Sequence, residues 1–169
     1  MSATEVDDVD RRWLRRCVEL AEEALADGDS PFGSVLVDGS GAVRAEDRNR
    51  EVSTADPTAH PEIALARWAA AHLDPEERAA ATVYTSGEHC AMCAAAHGWV
   101  GIGRLVFAMS TPQLLALRDE LGLDRSPVAP LRAADVAPAV VVAGPEPSLL
   151  DDVAALHRRA AGHWRADER

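Results

Sequence analysis

The sequence contains no lysine; its 17 basic residues are all arginines. That excludes two chemistries outright: a Schiff base on an internal lysine, and a P-loop whose lysine reaches a phosphate. Cysteine is scarce as well. Three cysteines are an odd number, too few for a disulfide framework, and point to a reducing compartment. No apolar run approaches the roughly 20 residues of a membrane-spanning helix. The acidic stretch from Met1 to Asp10 carries no cationic-then-apolar leader. The expectation is a cytoplasmic protein with no membrane partner. Basic charge is also in deficit. The formal net charge is −11, whereas a protein that tracks nucleic-acid phosphates needs a basic face. Arginines cluster at Arg11, Arg12, Arg15 and Arg16, and again at Arg158 and Arg159. These read as solvated helix faces balanced by neighbouring acids, so nucleic acid is not an expected partner.

What is present fits one domain over residues 1–169. The chain is long enough to bury a core without disulfides, and 47% hydrophobic with 27% charged residues is ordinary for a globular protein. Residues 10–26 read as a helix, with Trp13, Cys17, Leu20, Ala21 and Ala24 at three- and four-residue spacing. Cys17 on that stripe is a packed thiol. Two apolar runs about Gly39-Ser40-Gly41 predict a hairpin over 32–38 and 42–48. Helices are expected over 61–73, from Cys90 to about Val100, over 111–121 capped by Thr111, and over 148–164. Strands are expected over 82–85, 104–109 and 139–143. Asp74-Pro75 reads as a stop, 86–88 as a turn and 124–138 as loop. Helices alternating with strands argue an α/β fold, a three-layer α/β/α sandwich around a five-stranded mixed sheet.

Two short stretches carry chemistry: His60-Pro61-Glu62 and Cys90-Ala91-Met92-Cys93. One histidine and two cysteines are three good zinc ligands, and a fourth position left free is how a catalytic site differs from a structural one. Pro61 costs a first helical turn little and biases His60 away from helical dihedrals. Both stretches therefore fall at helix N-termini, where the dipole favours thiolates. Glu62 stands two residues past the histidine, close enough to move protons without binding the metal. His-x-Glu followed by Pro-Cys-x-x-Cys is a zinc deaminase signature, and His89 replaces its proline here.

With Pro31-Phe32-Gly33, Asn49, Asp56-Pro57-Thr58-Ala59-His60 and residues 85–93, the chain resembles the cytidine deaminase-like superfamily, and within it bacterial guanine deaminases and related nucleobase deaminases. Pro61 departs from that pattern, where alanine is common. The resemblance implies that His60, Cys90 and Cys93 hold one Zn2+ per chain and that Glu62 is the proton shuttle. It implies that Asn49 hydrogen-bonds the base and that Trp99 is an aromatic near the pocket. Guanine deaminases also use a second carboxylate after the cysteine pair, for which Asp119 and Glu120 are the candidates. A homodimer is implied too, and so is a C-terminal helix that completes the pocket.

The implied reaction is hydrolytic deamination of a free purine base or related aminated heterocycle, guanine to xanthine plus ammonia, or an aminotriazine. Cytosine, cytidine and tRNA adenosine stay open as substrates. From a different class, a structural zinc knuckle or redox dithiol without turnover also stays open, with His89 the nearby candidate for a fourth ligand. Glu62 discriminates, because a structural site has no use for an unliganded carboxylate beside the metal.

Overall fold

The computed structural model describes residues 4–124 and 126–167, with side chains described as far as residue 162. The first helix, α1 (Asp8–Ala26), opens on a capping box in which Asp7 accepts from the Asp10 N–H. The Asp10 carboxylate accepts from the Asp7 N–H in return. The hairpin follows as β1 (Gly33–Val37) and β2 (Val43–Arg48), antiparallel. Then come α2 (Pro61–His72), α3 (Pro75–Ala80), β3 (Thr82–Gly87), α4 (Ala91–Val100) and β4 (Arg104–Met109). The chain ends with α5 (Thr111–Glu120), α6 (Ala133–Val136), β5 (Val141–Ala143), a 3-10 turn over Pro147–Leu149 and α7 (Leu150–Asp167).

The five strands form one mixed sheet in the order β2-β1-β3-β4-β5. β1 pairs antiparallel with β2 and β3, whereas β3–β4 and β4–β5 are parallel. Both faces are covered, and the strand period of two sorts the side chains between them. Val35, Val37, Tyr84, Val106 and Ala108 join Leu14, Cys17 and Leu20 of α1 and Val153 of α7 in one core. Leu36, Val83 and Leu105 join Leu65 and Ala69 of α2 and Ala94 of α4 in the other. Cys17 is a fully buried core thiol, as its helical stripe implies. At Gly33, helix and sheet come so close that a Cβ would meet Leu20 and stand 2.5 Å from the Cys17 carbonyl oxygen.

Four elements differ from the sequence expectation. Asp74-Pro75 follows the end of α2 at His72, as expected, and also starts a helix. Asp74 accepts from the Glu76 and Glu77 N–H groups, Glu77 reaches back to the Asp74 N–H at 2.8 Å, and the proline at N1 needs no donor. The cap of α5 is Ser110 and not Thr111; Gln113 Oε1 accepts from its N–H at 2.9 Å. β3 runs on to Gly87, held by pairing opposite Met109, where a turn is expected from composition. The 124–138 stretch contains α6. Its first N–H, that of Ala133, donates to the buried Glu88 carboxylate at 2.9 Å, which also accepts from the Thr111 N–H at 2.8 Å. Glu88 thus ties two helix starts to the end of β3.

Candidate metal centre

His60 and Cys90 are the N-cap residues of α2 and α4, both with extended backbone. Neither side chain is spent on capping its own helix. Instead they turn toward each other across the ends of the two helices, and Cys93, one turn into α4, completes the group. His60 Nδ1 lies 3.7 Å from Cys90 Sγ and 3.5 Å from Cys93 Sγ. In a tetrahedral zinc site with Zn–S about 2.3 Å and Zn–N about 2.05 Å, an N···S edge is about 3.6 Å. The donor atoms of His60, Cys90 and Cys93 all lie within 4.8 Å of one another, and they are the only such group of three among the described residues. Geometry and donor chemistry both fit Zn2+ with one position left for a non-protein ligand.

Charge is arranged to match. The imidazole of His60 is held protonated to about 10 by its hydrogen bonds to Cys90 and Glu51. Cys90 is pulled down to about 4 by hydrogen bonds from Cys93 and His60. Cys93 keeps its proton, raised by its hydrogen bond to Cys90 and by burial. A cation binding here displaces those protons, so metal affinity rises with pH.

Glu62 is buried in the first turn of α2 and stands outside the three-atom cluster but beside it. Its Oε2 is 3.8 Å from Cys93 Sγ, and its Oε1 accepts from Thr85 Oγ1 at 3.3 Å. Thr85 is itself joined to Ser34 at 3.0 Å, so the carboxylate is anchored to the middle of the sheet. Burial pushes the Glu62 carboxyl up, opposed by the charge of His60.

Asn49 is buried at the end of β2, its Oδ1 accepting from the Glu51 N–H and its Nδ2 donating to Glu51 Oε2, both at 3.0 Å. Glu51 Oε1 in turn lies 3.0 Å from His60 Nε2. The structure therefore brings Asn49, His60, Glu62, Cys90 and Cys93 to one end of the sheet.

It does not bring the other candidates there. Trp99 is 91% exposed. Cys93 and His97 take the inner side of α4, and a residue six past Cys93 points away from them at 100° per residue. Asp119 and Glu120 are exposed on α5, Glu120 facing Arg158 at 3.6 Å, and neither belongs to the ligand group. His89 is fully buried but lies outside the ligand group, its ring edge-on to His97 with centroids 4.6 Å apart. His157 is buried against Phe32, centroids 5.1 Å apart. The side chain of His163 lies outside the described residues.

Sequence reasoning missed two residues. Glu51 offers no motif, only its place two positions after Asn49. His97 donates from Nε2 to the Glu62 carbonyl at 2.8 Å and so ties α4 to α2; its only signal is a histidine one helical turn past Cys93.

A model of the cytidine and deoxycytidylate deaminase zinc-binding region matches residues 7–109. A probable cytosine deaminase from Schizosaccharomyces pombe is 36% identical over 123 residues, 72% of this chain and 74% of that protein. A tRNA-specific adenosine deaminase from Haemophilus influenzae is 38% identical over 111 residues, 65% of this chain and 64% of that one. Among solved structures, the guanine deaminase from Nitrosomonas europaea superposes with a TM-score of 0.70 at 25% identity, covering 89% of this chain and 83% of that one.

Proposed function

The chain belongs to the cytidine and deoxycytidylate deaminase zinc-binding family, and from that premise we propose that it is a hydrolytic deaminase of a free nucleobase, with guanine, to xanthine and ammonia, the first substrate. The observation that carries the reading is Glu62: a buried carboxylate beside three zinc ligands and not one of them. Bound zinc supplies Lewis acidity that brings the pKa of a coordinated water to roughly 7. Glu62, fixed by Thr85 through Oε1, keeps Oε2 on the ligand side. From there it takes a proton from the attacking water and delivers it to the ring nitrogen beside the attacked carbon. It then takes the second proton, from the hydroxyl now on that carbon, and passes it to the amino group, so the C–N bond breaks with release of ammonia and a C=O group remains. Proton transfer of this kind contributes about 10²–10⁴-fold.

Support for a purine base comes from the guanine deaminase fold match, which extends over 89% of the chain. A second reading, cytosine, is favoured by the 36% identical relative, three quarters of whose length is spanned. With net charge −11, tRNA is disfavoured as a substrate. The whole chain acts as one unit in this reading, α7 closing the site end through His157 on Phe32. A homodimer is part of it as well. Met92, Ala95, Ala96 and Trp99 form an uncharged, partly exposed stripe on α4, the kind of face a second copy covers. No helix among the described residues is long and apolar enough to cross a membrane, and the three cysteines are free; the compartment proposed is the cytoplasm.

The test is ammonia release by the zinc-loaded protein from guanine, cytosine, adenine, cytidine, adenosine and aminotriazines, with Glu62→Gln alongside. The expected result is release from guanine, lost by 10²–10⁴-fold in a variant that still binds one zinc per chain. Release from cytosine alone selects the second reading. Undiminished turnover in Glu62→Gln removes the role given to Glu62.

A further inference from the structure

Glu51 sits in the turn after β2, where nothing in the sequence marks it. Its carboxylate nevertheless touches two residues of the site at once, His60 Nε2 through Oε1 and Asn49 Nδ2 through Oε2, each at 3.0 Å. We propose that Glu51 is a positioning residue that sets the tautomer and orientation of the metal ligand His60 and couples it to Asn49.

His60 Nδ1 faces the sulfurs of both Cys90 and Cys93, so Nδ1 is the atom that would bind metal. A neutral imidazole coordinating through Nδ1 carries its proton on Nε2, and that N–H needs an acceptor. Glu51 Oε1 is that acceptor. A carboxylate in this place locks the ring and raises the basicity of the coordinating nitrogen, an effect typically worth 10–100-fold in metal affinity or activity.

The loop has backbone ties besides those of the carboxylate. Its backbone is pinned independently: Asp29 Oδ1 accepts from the Val52 and Ser53 N–H groups at 2.8 and 2.9 Å. The Arg50 N–H donates to the Ala59 carbonyl at 3.0 Å and the Asp56 N–H to the Glu51 carbonyl at 3.1 Å. The Asn49 amide is oriented by the same residue, its Oδ1 accepting from the Glu51 N–H. A shift of the carboxylate thus moves both groups together. The His60 half of the inference stands on geometry alone; the Asn49 half rests on the proposed deaminase reading.

The experiment compares wild type, Glu51→Gln and Glu51→Ala in three readouts, two of which use no substrate. Zinc affinity is measured by competition with a chromophoric chelator, and the ligand field by the visible spectrum of the Co2+-substituted protein. Steady-state kcat and KM follow at saturating zinc, with and without added formate. Glu51→Ala is expected to bind zinc 10–100-fold more weakly and to shift the Co2+ bands. Glu51→Gln, which keeps an acceptor without the charge, should fall between. Formate should restore part of the lost affinity in Glu51→Ala, which a merely structural role would not allow. If Glu51→Ala does not fold, as read by the melting of the metal-free protein, Glu51→Gln decides. Zinc affinity within twofold of wild type and an unchanged Co2+ spectrum in the folded variants overturn the proposal. A protein that deaminates no base but shows these metal effects loses the deaminase reading and keeps the role of Glu51 toward His60.

Discussion

Lowering the pH should loosen this protein through His157, and the size of the effect follows from where the ring sits. His157 is 4% exposed on α7, edge-on to Phe32, and its Nε2 has no hydrogen-bond partner among the described residues. Burial, with the Arg118 guanidinium adding to it, holds its pKa down to about 4, against 6.5 for the free side chain. The unfolded chain therefore binds this proton more readily, and stability falls as pH drops from about 6.5 toward 4. At 1.36 kcal/mol per unit, the full gap of 2.5 units is worth about 3.4 kcal/mol, of which about 2 is already lost by pH 5. His97, also lowered to about 4 by burial, contributes in the same direction, so the His157 share is read as a difference. Urea unfolding of wild type and His157→Leu at pH 7, 6, 5 and 4 supplies it. The stability gap between the two proteins should shift by about 2 kcal/mol in favour of the variant between pH 7 and pH 5. A gap constant within 0.5 kcal/mol (about a quarter of that shift) would mean that the ring is not held neutral against Phe32.

Three further perturbations test the frame around the site. Asp10 accepts from Tyr84 Oη at 2.9 Å and from Arg104 Nη1 and Nη2 at 2.7 and 2.8 Å, at the end of β4 where that strand begins. Asp10→Ala removes the carboxylate that Tyr84 and Arg104 share and should cost about 1.5–3 kcal/mol in urea unfolding, while a loss under 1 would show that the network relaxes without its carboxylate. His97→Leu leaves the buried Glu62 carbonyl without the donor that joins α4 to α2, and should cost about 1–3 kcal/mol of stability together with a drop in kcat. A normal kcat in the purified variant would show that the tie does not place Glu62. Gly33→Ala drives a methyl into Leu20 and the Cys17 carbonyl, where α1 lies against β1; overpacking of about 1–3 kcal/mol is expected as a lowered Tm, and an unchanged Tm would show that helix and strand can part.

The His60, Cys90 and Cys93 cluster was legible in the sequence because each member depends on a short piece of chain. Pro61 forces His60 to the entrance of a helix, and Cys90 and Cys93 lie one turn apart on another, so local rules fix where they point. The sheet was legible for the same reason: Val35, Leu36 and Val37 alternate between two cores that helices cover. Failures fall where a second feature overrides composition, a local cap in one case and a tertiary partner in the other. Asp74-Pro75 has the composition of a stop, yet Glu77 completes a capping box and makes it a start as well. His157 stands between Leu156 and the Arg158-Arg159 pair, with no motif to mark it, and the approach of α7 to Phe32 buries it.

The carboxylates make the same point about function. Asp119 and Glu120 stood at a plausible distance along the chain, but α5 turns both to solvent, where a charge keeps its hydration. A carboxylate near the metal must instead have its desolvation offset by donors. Glu62 has Thr85, Glu88 has the N–H groups of Thr111 and Ala133, and Glu51 has Asn49 and His60. All three of these acids are held by donors, and of the three only Glu62 belongs to a motif. Donors brought in from other segments distinguish a buried carboxylate from a solvated one, and they are what a linear pattern does not record. Among these three, Glu51 is the one within hydrogen-bond distance of His60.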